Sequence, residues 1–344
     1  MSVYSRSTDG KPPPHEDVVI SSRVRLARNF AAHPFVSRAN PKQCEQVLDA
    51  AKRVLLDPAI AAGMIWVDLN QSTLRDRRLL FERHLISKHL AETEHRRAVA
   101  ISGDETLSVM VNEEDHLRVQ ALERGSRLGE LFQRVNSVDN AIEARLDYAF
   151  SPRWGYLTAC PTNLGTGIRL SVMMHLSGLK MTNEIEKVRK AAKDLNLAVR
   201  GYHGEGSESA GDFYQISNQV TLGRSEEEIL REFVEDIVPR IVEYERCARK
   251  KLATKDTTKV DDVVFRALAT LRAARLLGHE EAMKLLSRVR LGVCAGRMQN
   301  IDLDAINELF LLIQPAHLKL HTAAELEGEA LREARAAVVR KRLD

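Results

Sequence analysis

The sequence contains little of three features that would identify a protein class at once: cysteine, net charge and long apolar runs. It has four cysteines in 344 residues, and none of them forms a CxxC pair or a Cys/His cluster at zinc spacing. We therefore expect neither a structural zinc site nor a disulfide framework, and a reducing cytoplasm is the simplest location. The formal net charge of +3 argues against a polybasic nucleic-acid coat protein.

Membrane insertion and secretion are not indicated either. No uncharged apolar run approaches the ~20 residues that a transmembrane helix needs. The first residues, MSVYSRSTDGKPPPHED, are polar and proline-rich, unlike a signal peptide. What the chain does hold is a hydrophobic content of 44%, typical of globular proteins, and an excess of arginine, with 36 Arg among 51 basic residues. Its length predicts one large or two medium domains.

An α+β fold is predicted for residues 17–254, behind a loose arm at residues 1–16. Strand-like and helix-like segments alternate through this region, and the strands are expected to form an antiparallel sheet flanked by helices. From about residue 255 the chain shows only helical patterns, and we expect a small all-α domain over residues 255–344. Such a domain is suited to dimerisation or to docking of partner proteins. The helical patterns lie at 260–277, 279–291, 303–313 and 323–342.

Several local predictions matter for a site. A β-branched start predicts a strand from Asp17, in which Arg23 and Arg25 project from the same face because they lie two residues apart. Two β-rich runs at 98–102 and 106–112 predict a hairpin.

The segment YLTAC predicts a strand that ends in Cys160, and IRLSVMMHLSGL predicts a helix that begins at about Arg169. A strand is also predicted before RHLISKHLA. Further strands are predicted near 197–201 and at 212–217.

The loop between Cys160 and Arg169 is a candidate ligand site. Gly165 and Gly167 let the backbone approach a ligand closely. A helix N-terminus after them would offer free N–H groups and the positive end of a dipole, which could hold a phosphate or stabilise a thiolate. The GxxxxGK[ST] spacing of a Walker loop is absent, and a tight turn with a buried cysteine is the structural alternative.

Two further segments mix carboxylates with arginine. In VNEEDHLRV, Glu113 and Glu114 could bind a cationic substrate and Arg118 an anionic one, and a solvated charged turn is the alternative. In RGYHGE, Arg200 follows a predicted strand and Glu205 lies in a glycine-rich loop.

Arginines lie at the ends of several predicted strands and helices. A nucleoside triphosphate needs several cations, and a planar guanidinium suits phosphate oxygens because it donates in pairs and stays charged. For any single arginine, a surface salt bridge is the commoner role. The set considered together is Arg23, Arg25, Arg118, Arg169 and Arg200.

Four motifs in this order, SSRVR, VNEEDHLRV, CPTNLGTGIR and RGYHGEG with QISN, resemble those of the ATP:guanido phosphotransferase family. That family includes creatine and arginine kinases, and the resemblance covers roughly residues 17–250. It implies a guanido-kinase catalytic domain with ATP as the phosphoryl donor. It also implies Mg²⁺ held mainly through the nucleotide phosphates, with no dedicated metal site in the protein.

By the matching positions, the five arginines would clamp the phosphates of ATP and the phosphoryl group in transfer. Glu114 and Glu205 would be the catalytic carboxylates that grip the acceptor guanidinium, with Cys160 beside it as a thiolate. His84 resembles a histidine that packs near the nucleotide, and His89 competes for that match. The stretches that would line the nucleotide are Ser21, Ser22, Arg23, Val24 and Arg25, then Arg169, Leu170, Ser171, Val172 and Met173, then Arg200, Gly201, Tyr202, His203, Gly204 and Glu205.

The order of the parts is similar to that of the bacterial protein arginine kinases. Phosphagen kinases carry a helical domain ahead of SSRVR, whereas here only 20 residues precede Ser21 and a helical block follows the motifs. The resemblance therefore implies a kinase of arginine side chains in proteins, which marks its substrates for Clp-type proteolysis or alters a repressor. Proteins with exposed arginines, an activator protein and a Clp ATPase are the implied partners, and a homodimer is the expected assembly.

Two departures from the family are visible. Where the family often has Asp in the strand before SN, this chain has Gln215. The segment LREARA corresponds to an RDxxRA motif that binds phosphoarginine allosterically, but it has Leu331 and Arg332 in place of Arg and Asp. The resemblance points to Arg332 and Arg335 for that role, and an amphipathic helix with solvated arginines is the alternative. Two other functions stay open, a kinase of a free guanidino metabolite and a non-catalytic ATP-binding adaptor.

Overall fold

An eight-stranded antiparallel sheet organises the chain in a computed structural model that describes residues 12–201 and 210–344. The strands are β1 (Val19–Arg28), β2 (Met64–Asp68), β3 (Ala98–Ser102), β4 (Leu107–Val111), β5 (Leu117–Arg124), β6 (Phe150–Ser151), β7 (Gly155–Tyr156), β8 (Ile168–His175), β9 (Leu197–Arg200) and β10 (Phe213–Asn218). The sheet order is β2-β3-β4-β5-β1-β8-β10-β9, while β6 and β7 form a separate hairpin. The predicted α+β class, with an antiparallel sheet and a helical C-terminal part, is confirmed.

Helices flank the sheet and then fill the C-terminal part. They are α1 (Pro41–Leu55), α2 (Leu74–Glu82), α3 (Lys88–Glu92), α4 (Leu128–Glu143), α5 (Ser177–Met181), α6 (Ile185–Asp194), α7 (Glu226–Glu232), α8 (Val238–Lys255), α9 (Thr257–Ala273), α10 (His279–Cys294), α11 (Leu303–Leu312), α12 (Pro315–Thr322) and α13 (Gly328–Leu343). Asn40 caps α1 as predicted, because its side chain accepts from the Gln43 N–H at 2.9 Å. No helix in the described ranges is long and apolar enough to cross a membrane.

Three local predictions are wrong. The segment that starts at Arg169 is strand β8 and not a helix. This strand lies between β1 and β10 in the sheet. Its residues 168–172 alternate apolar and polar side chains, but the apolar residues that follow them, and the short helix α5 that begins at Ser177, give the whole segment a helical appearance. The predicted strand YLTAC is paired only at Gly155–Tyr156, after which the chain is a loop. The strand predicted before RHLISKHLA is helix α2.

The hydrophobic core has two main parts. One lies against the sheet and takes in apolar faces of α1, α4 and α8. The other fills the space between α9, α10, α11 and α13, and it includes Ile20, Met173 and Phe213 from the sheet. The domain boundary near residue 255 stays a prediction. In the structure α8 ends at Lys255 and α9 begins two residues later.

Buried arginines join the helical part to the sheet. Arg290 on α10 donates to the Asp17 carbonyl at 2.9 Å and lies 3.1 Å from His175 Nδ1. Arg249 on α8 donates to the same Asp17 carbonyl at 2.8 Å and to the His175 carbonyl at 2.9 Å. Because these side chains are buried, breaking the contacts would leave unsatisfied charge in the interior. The helical part therefore holds the beginning of β1 and the end of β8 in place.

Candidate active site

Five arginines from four strands of the sheet share one of its faces. On β1, Arg23 and Arg25 alternate with the buried Val24 and so project together, as predicted. The register places Arg169 of β8 directly across from Arg25, and Ser171 across from Arg23. Arg118 comes from β5 and Arg200 from β9. The sheet thus gathers side chains that lie far apart in the sequence.

The arginines act on one another electrostatically. Burial, and after it Arg169, Arg118 and Arg200, lower the pKa of Arg23 to about 10. Burial and Arg23 likewise hold the pKa of Arg25 well below its ordinary value. Arginines that destabilise one another's charge are stabilised by a bound anion, and a polyphosphate would supply several negative oxygens at once.

The arginine face forms one wall of a cleft of about 220 Å³. The opposite wall comes from Phe81, near the end of α2, and from His84 and Ser87 in the segment between α2 and α3. His84 has a φ of 61°, uncommon for a residue other than glycine, and its carbonyl accepts from Gln120 Nε2 at 2.8 Å. The cleft therefore includes the predicted His84, and His89 is absent from its lining residues.

Successive side chains of a strand point to opposite faces of the sheet, so part of the predicted nucleotide-binding set does not face the cleft. Four side chains, Ser22, Val24, Leu170 and Val172, lie fully buried on the opposite face of the sheet, so they cannot contact a ligand in the cleft. Ser22, for example, donates to the Gly125 carbonyl at 2.7 Å. The side chains that do line the cleft from these stretches are Ser21, Arg23, Arg25, Ser171, Met173 and Arg200.

Gln215 lies within the arginine cluster. Its Oε1 accepts from Arg23 Nη2 at 3.0 Å, while the Arg23 Nε donates to the Ser171 hydroxyl at 3.3 Å. Because an amide is neutral, Gln215 satisfies the Arg23 N–H without compensating its charge. The substitution noted in the sequence therefore leaves the cleft more positive than a carboxylate would.

Two adjacent glutamates lie beside the arginines and have different surroundings. Glu113 is buried, accepts from the Ser87 hydroxyl at 2.6 Å and lies 3.0 Å from Arg118 Nη2. Burial opposes ionisation of Glu113, but Arg118, the Ser87 hydroxyl and the Glu114 N–H together hold its pKa below the ordinary value.

Glu114 is accessible, with 45% of its side chain exposed, and it lies 3.3 Å from the same Arg118 nitrogen. Partial burial, and the neighbouring carboxylates Glu113 and Asp115, raise the pKa of Glu114 against the opposing effect of Arg118. A raised pKa makes Glu114 the stronger base of the pair, and its exposure lets it reach a ligand.

Asp115 ties the glutamates to the cysteine loop. Its Oδ1 accepts from Asn29 Nδ2 at 2.6 Å and from the Ala159 N–H at 2.7 Å, immediately before Cys160. Asn29 Nδ2 also donates to the Leu157 carbonyl at 3.0 Å. Asp115 was not among the predicted site residues, although it stands in the same acidic run, because its partners come from other parts of the chain.

Cys160 lies at the start of a short 3₁₀ turn, Pro161–Asn163, and is partly buried. Its Sγ lies 3.0 Å from the Thr162 hydroxyl. Since Arg169 lies in strand β8, the helix N-terminus expected to stabilise a thiolate in this loop is not there. The hydrogen bond between the Ala159 N–H and Asp115 joins the residue before Cys160 to the residue after Glu114.

Some predicted residues lie outside the described ranges or in other surroundings. Gly201 follows β9 and is buried, while Tyr202, His203, Gly204 and Glu205 fall outside the described residues. Within the part of the chain that is described, no group of three or more His, Cys, Asp and Glu side chains could hold a metal ion.

The predicted phosphoarginine site is corrected by the position of Arg335. Its guanidinium is buried and donates to the Ile313 carbonyl at 2.9 Å and the Leu277 carbonyl at 3.0 Å. Arg332 lies on the exposed side of α13. The two guanidinium groups therefore do not form one anion site, and Arg335 serves to join helix ends.

Family models match both parts of the chain. The model described as ATP:guanido phosphotransferase, C-terminal catalytic domain, matches residues 53–248. The model described as protein-arginine kinase McsB C-terminal domain matches residues 257–344.

Curated relatives match over nearly the whole length. A protein-arginine kinase of Halalkalibacterium halodurans is 41% identical over 336 residues, which cover 97% of this chain and 94% of that one. A protein-arginine kinase of Symbiobacterium thermophilum is 44% identical over 333 residues, which cover 96% of this chain and 94% of that one.

Solved structures share the fold of the catalytic part. Lombricine kinase has a TM-score of 0.60 at 25% identity, covering 69% of this chain and 71% of that one. The duplicated taurocyamine kinase of Schistosoma mansoni, with bound transition-state analogue components, has a TM-score of 0.61 at 26% identity. The match to it covers 65% of this chain and 32% of that one, so it spans about a third of the duplicated enzyme.

Proposed function

The chain belongs to the ATP:guanido phosphotransferase family, on the branch of the protein-arginine kinases, and from that premise we propose how its residues transfer a phosphoryl group from ATP to arginine side chains of proteins. The observation that carries the proposal is the junction of two sites. A cleft lined by mutually repelling arginines, suited to phosphates, adjoins an accessible carboxylate of raised pKa, suited to a guanidinium. Arg118 contacts that carboxylate and also lowers the pKa of Arg23, so the two sites meet at one residue.

The arginines bind and align the triphosphate. Phosphoryl transfer passes through a loose transition state, so alignment and neutralisation of charge provide most of the catalysis. Arg23 and Arg169 stand on neighbouring strands and Arg200 two strands further on, and their positions are fixed by the backbone hydrogen bonds of the sheet. We assign the phosphates to this face.

The acceptor arginine enters at Glu114. A guanidinium is a poor nucleophile because its pKa is above 12, so it must lose a proton as it attacks. In the step, a guanidinium nitrogen attacks the γ-phosphorus, an N–P bond forms, and the bond from phosphorus to the β,γ-bridging oxygen breaks to release ADP. Glu114 accepts the proton, because it is accessible and its raised pKa favours protonation. Glu205 is proposed as the second carboxylate, and Cys160 as a contact for the guanidinium.

Mg²⁺ fits this arrangement as an ion held by the nucleotide. It prefers oxygen ligands, keeps several waters and commonly binds through substrate phosphates. The cleft offers cations and hydroxyls in its described part, with Ser21 and Ser171 among its lining, which suits a metal brought in by ATP. When bound, the ion would neutralise part of the phosphate charge.

The test compares Glu114→Gln with a matched control. Purified protein is incubated with ATP, Mg²⁺ and an unfolded protein, and phosphate on arginine is measured by its lability to acid. We expect Glu114→Gln to lower kcat by at least about 100-fold, because it removes a general base, while Glu92→Gln, at an exposed glutamate on α3, keeps wild-type activity. Phosphate on free arginine or creatine, with none on protein, would refute the protein acceptor. Full activity of Glu114→Gln would refute the role of the carboxylate.

The assembly and downstream partners extend this proposal. We propose that the helical block from residue 255 mediates a homodimer or docks protein substrates, that an activator protein and a Clp ATPase act with the enzyme, and that it works in the cytoplasm. Light scattering at several concentrations tests the dimer, and a monomer throughout would refute it. Loss of Clp-dependent degradation of a phosphorylated substrate in Glu114→Gln cells would support the Clp link, and unchanged degradation would refute it.

A further inference from the structure

Exposed apolar side chains flank the Cys160 loop on two sides. The hairpin β6–β7 presents Phe150, with 57% of its surface exposed, and Trp154, with 41% exposed. After β10, Val220 and Leu222 are 42% and 43% exposed. Single exposed apolar side chains are common on protein surfaces, but several of them around one loop indicate an interaction surface.

Both pairs are carried on backbone that is fastened directly to the loop. The Tyr156 N–H donates to the Gly165 carbonyl at 2.8 Å, next to Trp154. On the other side, the Thr221 hydroxyl between Val220 and Leu222 donates to the Leu164 carbonyl at 2.7 Å. Gly165 packs so closely on this segment that an added Cβ would lie 2.9 Å from Leu222 Cα. The segments that carry the apolar side chains are therefore joined directly to the loop.

The aromatic side of this surface has a fixed backing. The Tyr156 ring lies 3.7 Å from the guanidinium carbon of the buried Arg28 and 5.3 Å from the Phe150 ring, edge to face. Its hydroxyl bonds Glu143 at 3.1 Å. A side chain held in this way loses little conformational entropy on binding, so Phe150 is suited to a contact surface.

We propose that this surface binds apolar side chains that flank the target arginine in an unfolded polypeptide. The inference deepens the proposed function and rests on it, since the surface surrounds the loop where the acceptor guanidinium is assigned. The occupant follows from the chemistry. A free guanidino metabolite carries no apolar side chains that could cover this surface, and a folded protein buries the apolar side chains that such a surface would take. An extended chain offers an arginine and apolar neighbours together.

The experiment uses two peptides of equal length and charge, each with one central arginine. In one peptide leucine and phenylalanine flank the arginine, and in the other serine and glycine do. With the full-length wild-type protein we expect kcat/KM for the apolar peptide to be about tenfold higher, the factor that burial of one partly exposed apolar side chain provides.

Substitutions then locate the preference. We expect Phe150→Ser/Trp154→Ser to bring the ratio between the two peptides to about one, and Leu222→Ser on the other side of the loop to lower it. Ile65→Ser is the matched control, because Ile65 is 59% exposed on β2 at the edge of the sheet, and it should keep the wild-type ratio. The melting temperature and the KM for ATP confirm that each variant is folded.

Each outcome decides between the inference and the function beneath it. Equal kcat/KM values for both peptides with wild-type protein, or a tenfold preference that persists in Phe150→Ser/Trp154→Ser and Leu222→Ser, would overturn the docking surface alone. No phosphate on either peptide from protein that binds ATP would overturn the proposed function, and the surface inference with it.

Discussion

Replacing Arg23 by methionine should abolish phosphoryl transfer and yet make the nucleotide-free protein no less stable. Arg23 projects into the cleft among other cations, and its charge is destabilised by burial and by Arg169, Arg118 and Arg200. Methionine keeps a side chain of similar length and removes the charge. The site is thus expected to hold a strain that only a bound anion relieves.

The magnitude follows from the pKa of Arg23. That pKa is about 10 in place of 12.5, and since one pKa unit corresponds to about 1.4 kcal/mol, the charge costs the folded state roughly 3 kcal/mol. Because folding lowers the pKa of this base, its charge destabilises the folded state in full at every pH below about 10. Methionine also loses hydrogen bonds to Gln215 and Ser171, each contributing about 1 kcal/mol. We expect a net gain of about 0 to 2 kcal/mol.

The same substitution five residues along the strand provides the control. Arg28 is also on β1 and is buried, but its Nη2 lies 2.7 Å from Asp139 and 3.4 Å from Glu226. These carboxylates raise the pKa of Arg28 against the effect of burial. Arg28→Met would leave the buried Asp139 without its cationic partner, and such losses destabilise a protein by about 3 to 5 kcal/mol. One change of residue type should therefore shift stability in opposite directions at the two positions.

Thermal unfolding without nucleotide measures the contrast. For a chain of this length, 1 kcal/mol corresponds to a shift of about 1 to 2 °C. Arg23→Met should melt at or up to about 4 °C above the wild type, and Arg28→Met clearly below it. Added ATP should raise the melting temperature of the wild type more than that of Arg23→Met. A fall for Arg23→Met as large as that for Arg28→Met would refute the account of a strained anion site.

Three further predictions concern Asp115, Arg335 and His116. Asp115→Ala should lower kcat about tenfold at unchanged KM for ATP, because the segment before Cys160 loses its hydrogen bond to Asp115. Asp115→Asn keeps an acceptor oxygen and should restore kcat. A change in the KM for ATP alone would contradict this positioning role. Arg335→Ala should destabilise the protein by about 3 kcal/mol in urea unfolding, whereas Arg332→Ala should change it by less than about 0.5 kcal/mol; a stable Arg335→Ala would contradict its structural role. Since burial first, and His33 after it, lower the pKa of His116 to about 4, His116 is neutral in the fold, and stability should fall by up to roughly 3 kcal/mol as pH drops from ~6.5 to 4. A smaller fall in a His116→Asn variant would confirm the assignment, and an equal one would contradict it.

Much of the fold could be predicted because its local signals are strong. Asn40 and Pro41 mark the start of α1, and the run at 98–112 forms the expected hairpin. Strand β8 was harder to predict, since residues 168–172 alternate apolar and polar side chains but the apolar residues after them do not distinguish a strand from a helix. Helix α12 was missed because it is a single short element, Pro315–Thr322, without an amphipathic pattern.

The site residues could be predicted where the motifs themselves contain them. They could not be predicted where their role depends on contacts between segments that are distant in sequence. The arginines are recognised from ordered motifs, and strand alternation alone would have excluded Val24 and Leu170. The link from Asp115 to Asn29 and Ala159 joins segments that are distant in sequence, so no local pattern reveals it. The role of Arg335 also depends on where two other helices end.

The strand that carries Arg23 and Arg25 is the first of the described strands along the sequence and yet lies in the middle of the sheet. It pairs with β5 on one side and with β8 on the other, so Arg25 meets Arg169 only after most of the catalytic part has been synthesised. Such long-range pairing is slow to form. The apolar side of β1, with Val24 and Leu26, must therefore wait uncovered during translation. The arginine cleft therefore cannot form before β8 has paired with β1, and a nascent chain remains inactive until then.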